Sequence, residues 1–176
     1  MVTLDLENNY HIKSLTINNL KSIESLNLKC SDYYLLHDGV LPSKKDALEI
    51  FSSLPPGKSY EDKFVLGIYK SRDELIGIIE IVRDFPVIGE WMLGLLFIEP
   101  DERHHGLGRR VHEALVQWAI TLGSRSFRIG VIKENHKGKK FWSDLGYLQI
   151  KEMAMDLTKK AHIIDVMTLQ IANNKC

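Results

Sequence analysis

The chain has 176 residues and a mass of 20.2 kDa, the size of one ordinary domain. Its 23 Lys and Arg balance 23 Asp and Glu, and the formal net charge of zero argues against a nucleic-acid partner held by phosphate neutralisation. The longest apolar stretch, Trp91–Ile98, is less than half of a membrane span, no signal-like head precedes the first acidic residues Asp5 and Glu7, and Cys30 and Cys176 form no disulfide framework. The expectation is a reduced, cytoplasmic protein with no membrane and no nucleic-acid partner.

In chain order, Tyr10–Ile17 reads as a strand. Leu20, Ile23 and Leu26 recur at helical spacing behind Asn18 and Asn19, which supply an N-cap. Ser43 with Asp46 opens a second short helix through Ala47, Leu48 and Phe51, and Ser52–Lys63, holding Pro55-Pro56-Gly57, is loop. Phe64–Tyr69 and Glu74–Val82 read as a hairpin across Lys70–Asp73, and Glu90–Ile98 is a further strand, stopped at Pro100. Leu107, Val111, Ala114, Leu115, Trp118 and Leu122 then mark a long helix, with Gly123 where a C-cap glycine belongs. Ser126–Ile132 is a short strand. Phe141, Trp142 and Leu145 mark a short helix closed by Gly146. Tyr147–Leu157 and His162–Ile171 form two last strands around a Thr158–Ala161 turn. The pattern predicts an α+β fold in which antiparallel hairpins flank a parallel, right-handed strand–helix–strand crossover.

The segment Arg103-His104-His105-Gly106-Leu107-Gly108 lies between a strand and the long helix. Glycines there let the backbone approach a ligand closely. The first helix amides lack intrachain acceptors, so N–H groups and the positive end of the dipole converge on one point. That is a pyrophosphate site. A dinucleotide fold is excluded because its third glycine falls on Val111 and Ser126–Ile132 holds no acidic residue. Gly57-Lys58-Ser59 lacks the strand and the earlier glycine of a Walker loop. His112-Glu113 lacks the second histidine of a zincin helix, so no metal is expected.

These residues resemble the GNAT superfamily of acetyl-CoA-dependent N-acetyltransferases. Leu96–Gly108 matches its Gln/Arg-x-x-Gly-x-Gly/Ala signature after an apolar-x-Pro strand end. Asn135, Gly138, Trp142, Gly146 and Tyr147 fall in register with a second family element. The resemblance covers Phe64 to about Leu157. It implies a GNAT-like acyl-CoA N-acyltransferase fold: a mixed central sheet of about seven strands, flanked by about four helices, with splayed central strands. One domain would span residues 1–176, with 1–63 a variable acceptor-side region, 64–157 the acetyl-CoA-binding core, and 158–176 a C-terminal strand and tail.

By the same resemblance, acetyl-CoA, a co-substrate, would wedge between the splayed strands. The backbone of Phe97 and Ile98 would bind pantetheine, and Arg103, His104, His105, Gly106, Leu107, Gly108 and Arg109 would hold the pyrophosphate. Asn135 would touch pantetheine, Trp142, standing in place of the family's tyrosine acid, would be a further cofactor-binding residue, and Lys137, Lys139 and Lys140 would lie near the adenosine phosphate. Indole cannot deliver a proton, so the thiolate leaves without a dedicated acid, or Tyr147 or a water serves. An alkylamine of pKa about 10.4 must also lose a proton before it attacks the thioester. Two carboxylates are candidate catalytic bases. Glu80 interrupts an apolar run on the face of Ile76 and Ile78, and Glu90 opens the strand leading to the loop. Tyr33 and Tyr34, with Asp38, are candidates to floor an acceptor pocket, under a flap made by Ser52–Lys63. The expected activity is acetyl transfer to a primary amine of a small molecule or peptide, by direct attack in a ternary complex of a monomer or homodimer. The alternative is a coenzyme A-binding sensor or interaction module with little or no turnover.

Overall fold

The computed structural model describes residues 1–71, 73–157 and 160–171. The Thr158–Ala161 turn thus lies partly outside the described residues, and Cys176 wholly so. Among the described residues eight strands form one sheet: β1 (Thr3–Asp5), β2 (Tyr10–Ser14), β3 (Lys63–Lys70), β4 (Glu74–Val82), β5 (Glu90–Ile98), β6 (Ser126–Ile132), β7 (Leu148–Leu157) and β8 (Lys160–Gln170). Their spatial order is β1-β2-β3-β4-β5-β6-β8-β7, antiparallel throughout except for the parallel β5–β6 pair. Five α-helices accompany them among the described residues: α1 (Leu20–Lys29), α2 (Ser31–Asp38), α3 (Lys44–Ser52), α4 (Leu107–Thr121) and α5 (His136–Asp144).

Two apolar cores lie on opposite faces of the sheet. Leu107, Val111, Leu115 and Ala119 of α4 pack on Ile79, Ile81, Trp91, Phe127 and Met167. On the other face Ile23, Leu26, Tyr34, Ala47 and Ile50 of α1–α3 pack on Ile78 and Phe97. The central strands β4 and β5 are covered on both sides, which is why they read as continuous apolar runs without alternation.

The sheet has one strand more than expected and the helices number one more. β1 is too short to show a period. α2 carries Asp32, Tyr33, Tyr34 and His37, none of them a strong helix former. It is held by the burial of Tyr34 and by Gly39, whose φ of 73° closes its C-terminus. α5 starts earlier than its aromatic residues indicate, because the Asn135 side chain accepts from Gly138 N–H at 2.9 Å and caps it.

Candidate active site

The parallel seam between β5 and β6 is paired at Glu90/Ser126, Trp91/Phe127 and Met92/Arg128 and no further. Both strands run on, β5 held by β4 out to Ile98 and β6 by β8 out to Ile132. The two central strands therefore diverge, leaving a cleft lined by backbone. Two irregularities shape it. Gly94 is an extra residue in β5 between the Glu80/Leu95 and Ile81/Leu93 pairs, and a second bulge in β4 sets Ile76 out of step. Glu80 consequently shares its face with Ile78, while Ile76 belongs to the opposite core, unlike the strict alternation read from the sequence.

Register also decides which backbone groups meet the cleft. Glu99 N–H donates to Ile76 O at 2.8 Å, so Glu99 faces β4. Alternation puts the polar groups of Phe97 on the β4 side as well, and its carbonyl indeed lies against Gly77. Leu96 and Ile98 turn theirs toward β6. Of the two backbones expected to meet pantetheine, that of Ile98 turns to the cleft and that of Phe97 to β4, while Leu96 also faces the cleft.

At the open end of the cleft the chain makes a short 3-10 turn, Pro100–Glu102, and enters α4 through exposed His104 and His105 and the N-cap Gly106. His104 and Gly106 have φ of 68° and 75°. The first amides of α4, from Leu107 through Arg109, have no carbonyl one turn back to bond. Gly108 differs in role from Gly106. A Cβ there would come within 3.2 Å of the Phe141 ring, so its bare face lets α5 sit against α4.

The Arg103 side chain does not extend toward the helix N-terminus. Its Nε donates to Ile98 O at 2.6 Å and its terminal nitrogens bind the Asp32 carboxylate at the start of α2. Lys29 of α1 pairs at 2.7 Å with Glu99, and Glu102 accepts from Tyr10 at 2.7 Å and binds Lys70. The loop is thus tied to α1 and α2. Arg109 donates to Asp144 O at 3.2 Å. Lys139 and Lys140 are engaged by Asp165 and Asp144, which leaves Lys137 as the exposed lysine of α5's first turn.

Trp142 is half-buried, packed edge-on against His112, Phe141 and Tyr147. Tyr147 is fully buried with its hydroxyl 3.0 Å from His112 Nε2. Burial drives the phenol's pKa upward and lowers that of His112 to about 4, so at neutral pH the phenol keeps its proton and the imidazole is uncharged. Asn135 spends its carbonyl oxygen on the α5 cap.

Across the sheet from α4, a concavity of about 180 Å³ opens over the Gly94 bulge. Tyr33, Tyr34, His37 and Asp38 of α2, Asp46 and Glu49 of α3, and Glu80 and Leu95 of the sheet line it. The sequence-derived pair Tyr33 and Tyr34 and the candidate base Glu80 thus meet in one cavity. Tyr33 stacks on His37 at 5.5 Å and both tyrosines touch Phe97. The Glu80 carboxyl has its pKa raised by burial, an effect opposed by the buried Lys63 ammonium 3.4 Å away. Ser53 alone of the Ser52–Lys63 loop lines the cavity. Glu90 lies apart, bound by Arg128 at 2.7 Å where β5 and β6 are still paired. His37 escaped the sequence reading, though its i,i+4 spacing from Tyr33 puts both on one helix face.

A family model described as "Acetyltransferase (GNAT) family" matches residues 30–147. A search of curated protein sequences finds no match. Among solved structures, the fold is similar to an acetyltransferase from Thermus thermophilus (TM-score 0.74, 19% identity, 92% of this chain and 97% of that one). It is also similar to spermidine N-acetyltransferase from Vibrio cholerae in complex with CoA and spermine (0.71, 14%, 93% and 96%). A third is the ribosomal-protein-S18-alanine N-acetyltransferase from Escherichia coli (0.67, 16%, 95% and 98%).

Proposed function

Because the chain belongs to the GNAT acetyltransferase family, we propose that it moves an acetyl group from acetyl-CoA to the primary amine of a small molecule or peptide, by direct attack in a ternary complex. The observation that carries this reading is the β5–β6 seam, which stops at Met92/Arg128 while β5 runs on to Ile98 and the loop that enters α4. Leu96 and Ile98 offer strand-like partners to a pantetheine arm, and the amides from His104 to Arg109 offer donors to a pyrophosphate. Acetyl-CoA supplies the activated acyl group.

The acceptor belongs in the cavity on the opposite face, over Gly94. Its volume suits the end of an alkylamine better than a large ligand. The carboxylates of Asp38, Asp46, Glu49 and Glu80 line the cavity, against Lys63 at Glu80 and Lys45 at Glu49, so the cavity favours an amine arriving as ammonium. The Leu96 N–H, one residue beyond the cavity wall, is the donor suited to the oxyanion of the tetrahedral adduct. The thiolate, of free pKa about 8.5, leaves without a side-chain acid. The small-amine acceptor named for the Vibrio structure is compatible with such a cavity.

A thermal-shift titration with acetyl-CoA, CoA, NADH and ATP tests the cofactor assignment. Saturation at a hundred times Kd should add about 2.7 kcal/mol, several degrees in Tm, for the coenzyme A pair alone. No shift at millimolar acetyl-CoA sinks the reading.

A further inference from the structure

The acceptor cavity contains a pair of side chains arranged for proton transfer. His37 Nδ1 lies 2.8 Å from Asp38 Oδ1, with the aspartate side chain 8% exposed and the histidine 28%. A carboxylate can only accept, so this contact places the imidazole proton on Nδ1 and leaves the lone pair on Nε2. The ring is held from other sides as well. Tyr33 stacks on it, and His162 of β8, itself buried, donates Nε2–H to the His37 carbonyl at 2.7 Å and fixes the last turn of α2. An imidazole in a cavity, oriented through one nitrogen by a buried carboxylate, is the arrangement a general base requires.

Resting on the acetyl-transfer reading above, we propose that His37, oriented by Asp38, is the general base that deprotonates the acceptor ammonium. Glu80, committed to Lys63, serves instead to attract and seat that cation. In the step, the ammonium gives one proton to His37 Nε2. The freed nitrogen pair forms the C–N bond at the thioester carbonyl, and the C–S bond breaks with its electron pair going to sulfur. The adduct's excess N–H proton passes through water to the sulfur, and His37 releases its proton to solvent. One proton is liberated per turnover. The groups facing His37 are Asp38, Tyr33 and Tyr34 on α2, Asp46 and Glu49 on α3, Glu80 with Lys63 on the sheet, and His162 on β8.

The experiment measures thiol release from acetyl-CoA with 1,4-diaminobutane and with water alone as acceptor, across pH 5 to 9, with acetyl-CoA affinity measured by calorimetry in parallel. In the water reaction the base supplies the rising limb of the profile without interference from an amine. His37→Gln should bind acetyl-CoA as the wild type does, lose about 10²- to 10⁴-fold in kcat, and lose that limb. Asp38→Asn should bind acetyl-CoA as the wild type does and retain the limb, but lose part of kcat, because the ring is no longer held through Nδ1 by a carboxylate. This second variant guards against a simple folding defect at position 37. Glu80→Gln should raise KM for the diamine and retain the limb. The proposal is overturned if His37→Gln keeps its limb while Glu80→Gln loses it. If the wild type binds acetyl-CoA yet releases thiol with neither acceptor, the acetyl-transfer reading gives way to a coenzyme A-binding module, and the proposal falls with it. Failure of the wild type to bind acetyl-CoA overturns the underlying acetyl-transfer reading instead.

Discussion

Three aromatic residues at the α4–α5 contact set one another's state: the Trp142 indole packs edge-on against His112 and Tyr147, and the Tyr147 hydroxyl lies 3.0 Å from His112 Nε2. The buried His112 is neutral, its pKa depressed to about 4 by burial and then by the nearby Arg109 charge. Unfolding restores an ordinary histidine, so the unfolded chain binds a proton between about pH 6.5 and pH 4 that the native chain refuses. Stability from this group is complete above about pH 6.5 and falls by about 3 kcal/mol as the pH drops to 4. Urea denaturation at pH 7 and pH 4.5 should show this loss in the wild type and a flatter dependence in His112→Gln. An equal slope in the variant would remove His112 from the account.

At the scale of elements, the cleft exists because two strands keep their outer partners after parting from each other. β5 stays on β4 and β6 stays on β8 while the seam between them ends at Met92/Arg128. The polar groups of Leu96 and Ile98 then lack a strand partner on the cleft side, apart from the Ile98 carbonyl taken by Arg103. Amide hydrogen exchange distinguishes the two sides of β5. Without ligand, the Phe97 amide should be protected by β4, and those of Leu96 and Ile98 should exchange faster. Saturating acetyl-CoA should slow Leu96 and Ile98 at least tenfold while leaving Phe97 little changed. Uniform protection of all three before ligand is added would contradict the register argument.

At the scale of the whole molecule, the sheet separates a face packed by α4 from a face packed by α1–α3. The two sides are joined by ion pairs at one corner. Arg103 spans from Ile98 O to Asp32 at the head of α2, and Lys29 at the end of α1 holds Glu99. The Arg103–Asp32 pair is partly exposed, so its direct worth to stability is no more than about 1 kcal/mol. Its larger effect is positional. Asp32→Asn should change Tm only slightly yet weaken acetyl-CoA binding by roughly fivefold, the equivalent of ~1 kcal/mol, because the loop and the Ile98 end of β5 lose their tether. Calorimetry on the pair of proteins checks this, and an unchanged Kd would confine Asp32 to the surface.

The strand–loop–helix unit from Glu90 to Gly123 was legible in the sequence because its determinants are local: an apolar run, Pro100, Gly106 at a positive φ, a 3.6-residue period and a closing glycine. The second element near Asn135 was legible for the same reason, since its cap bonds across three residues. Only the tertiary structure decided the rest. α2 forms against its neighbours rather than from its own propensity, so His37 did not stand out beside Tyr33 until the helix was in place. Nothing in the neighbourhood of Arg103 revealed its partner Asp32, separated from it by 71 positions. The bulges at Ile76 and Gly94 reassign faces and amides that strict alternation would place otherwise. Short-range order is written in adjacent residues and their spacing. The partner of a side chain or of a strand edge is settled only when distant segments pack, because burial and register belong to the folded chain.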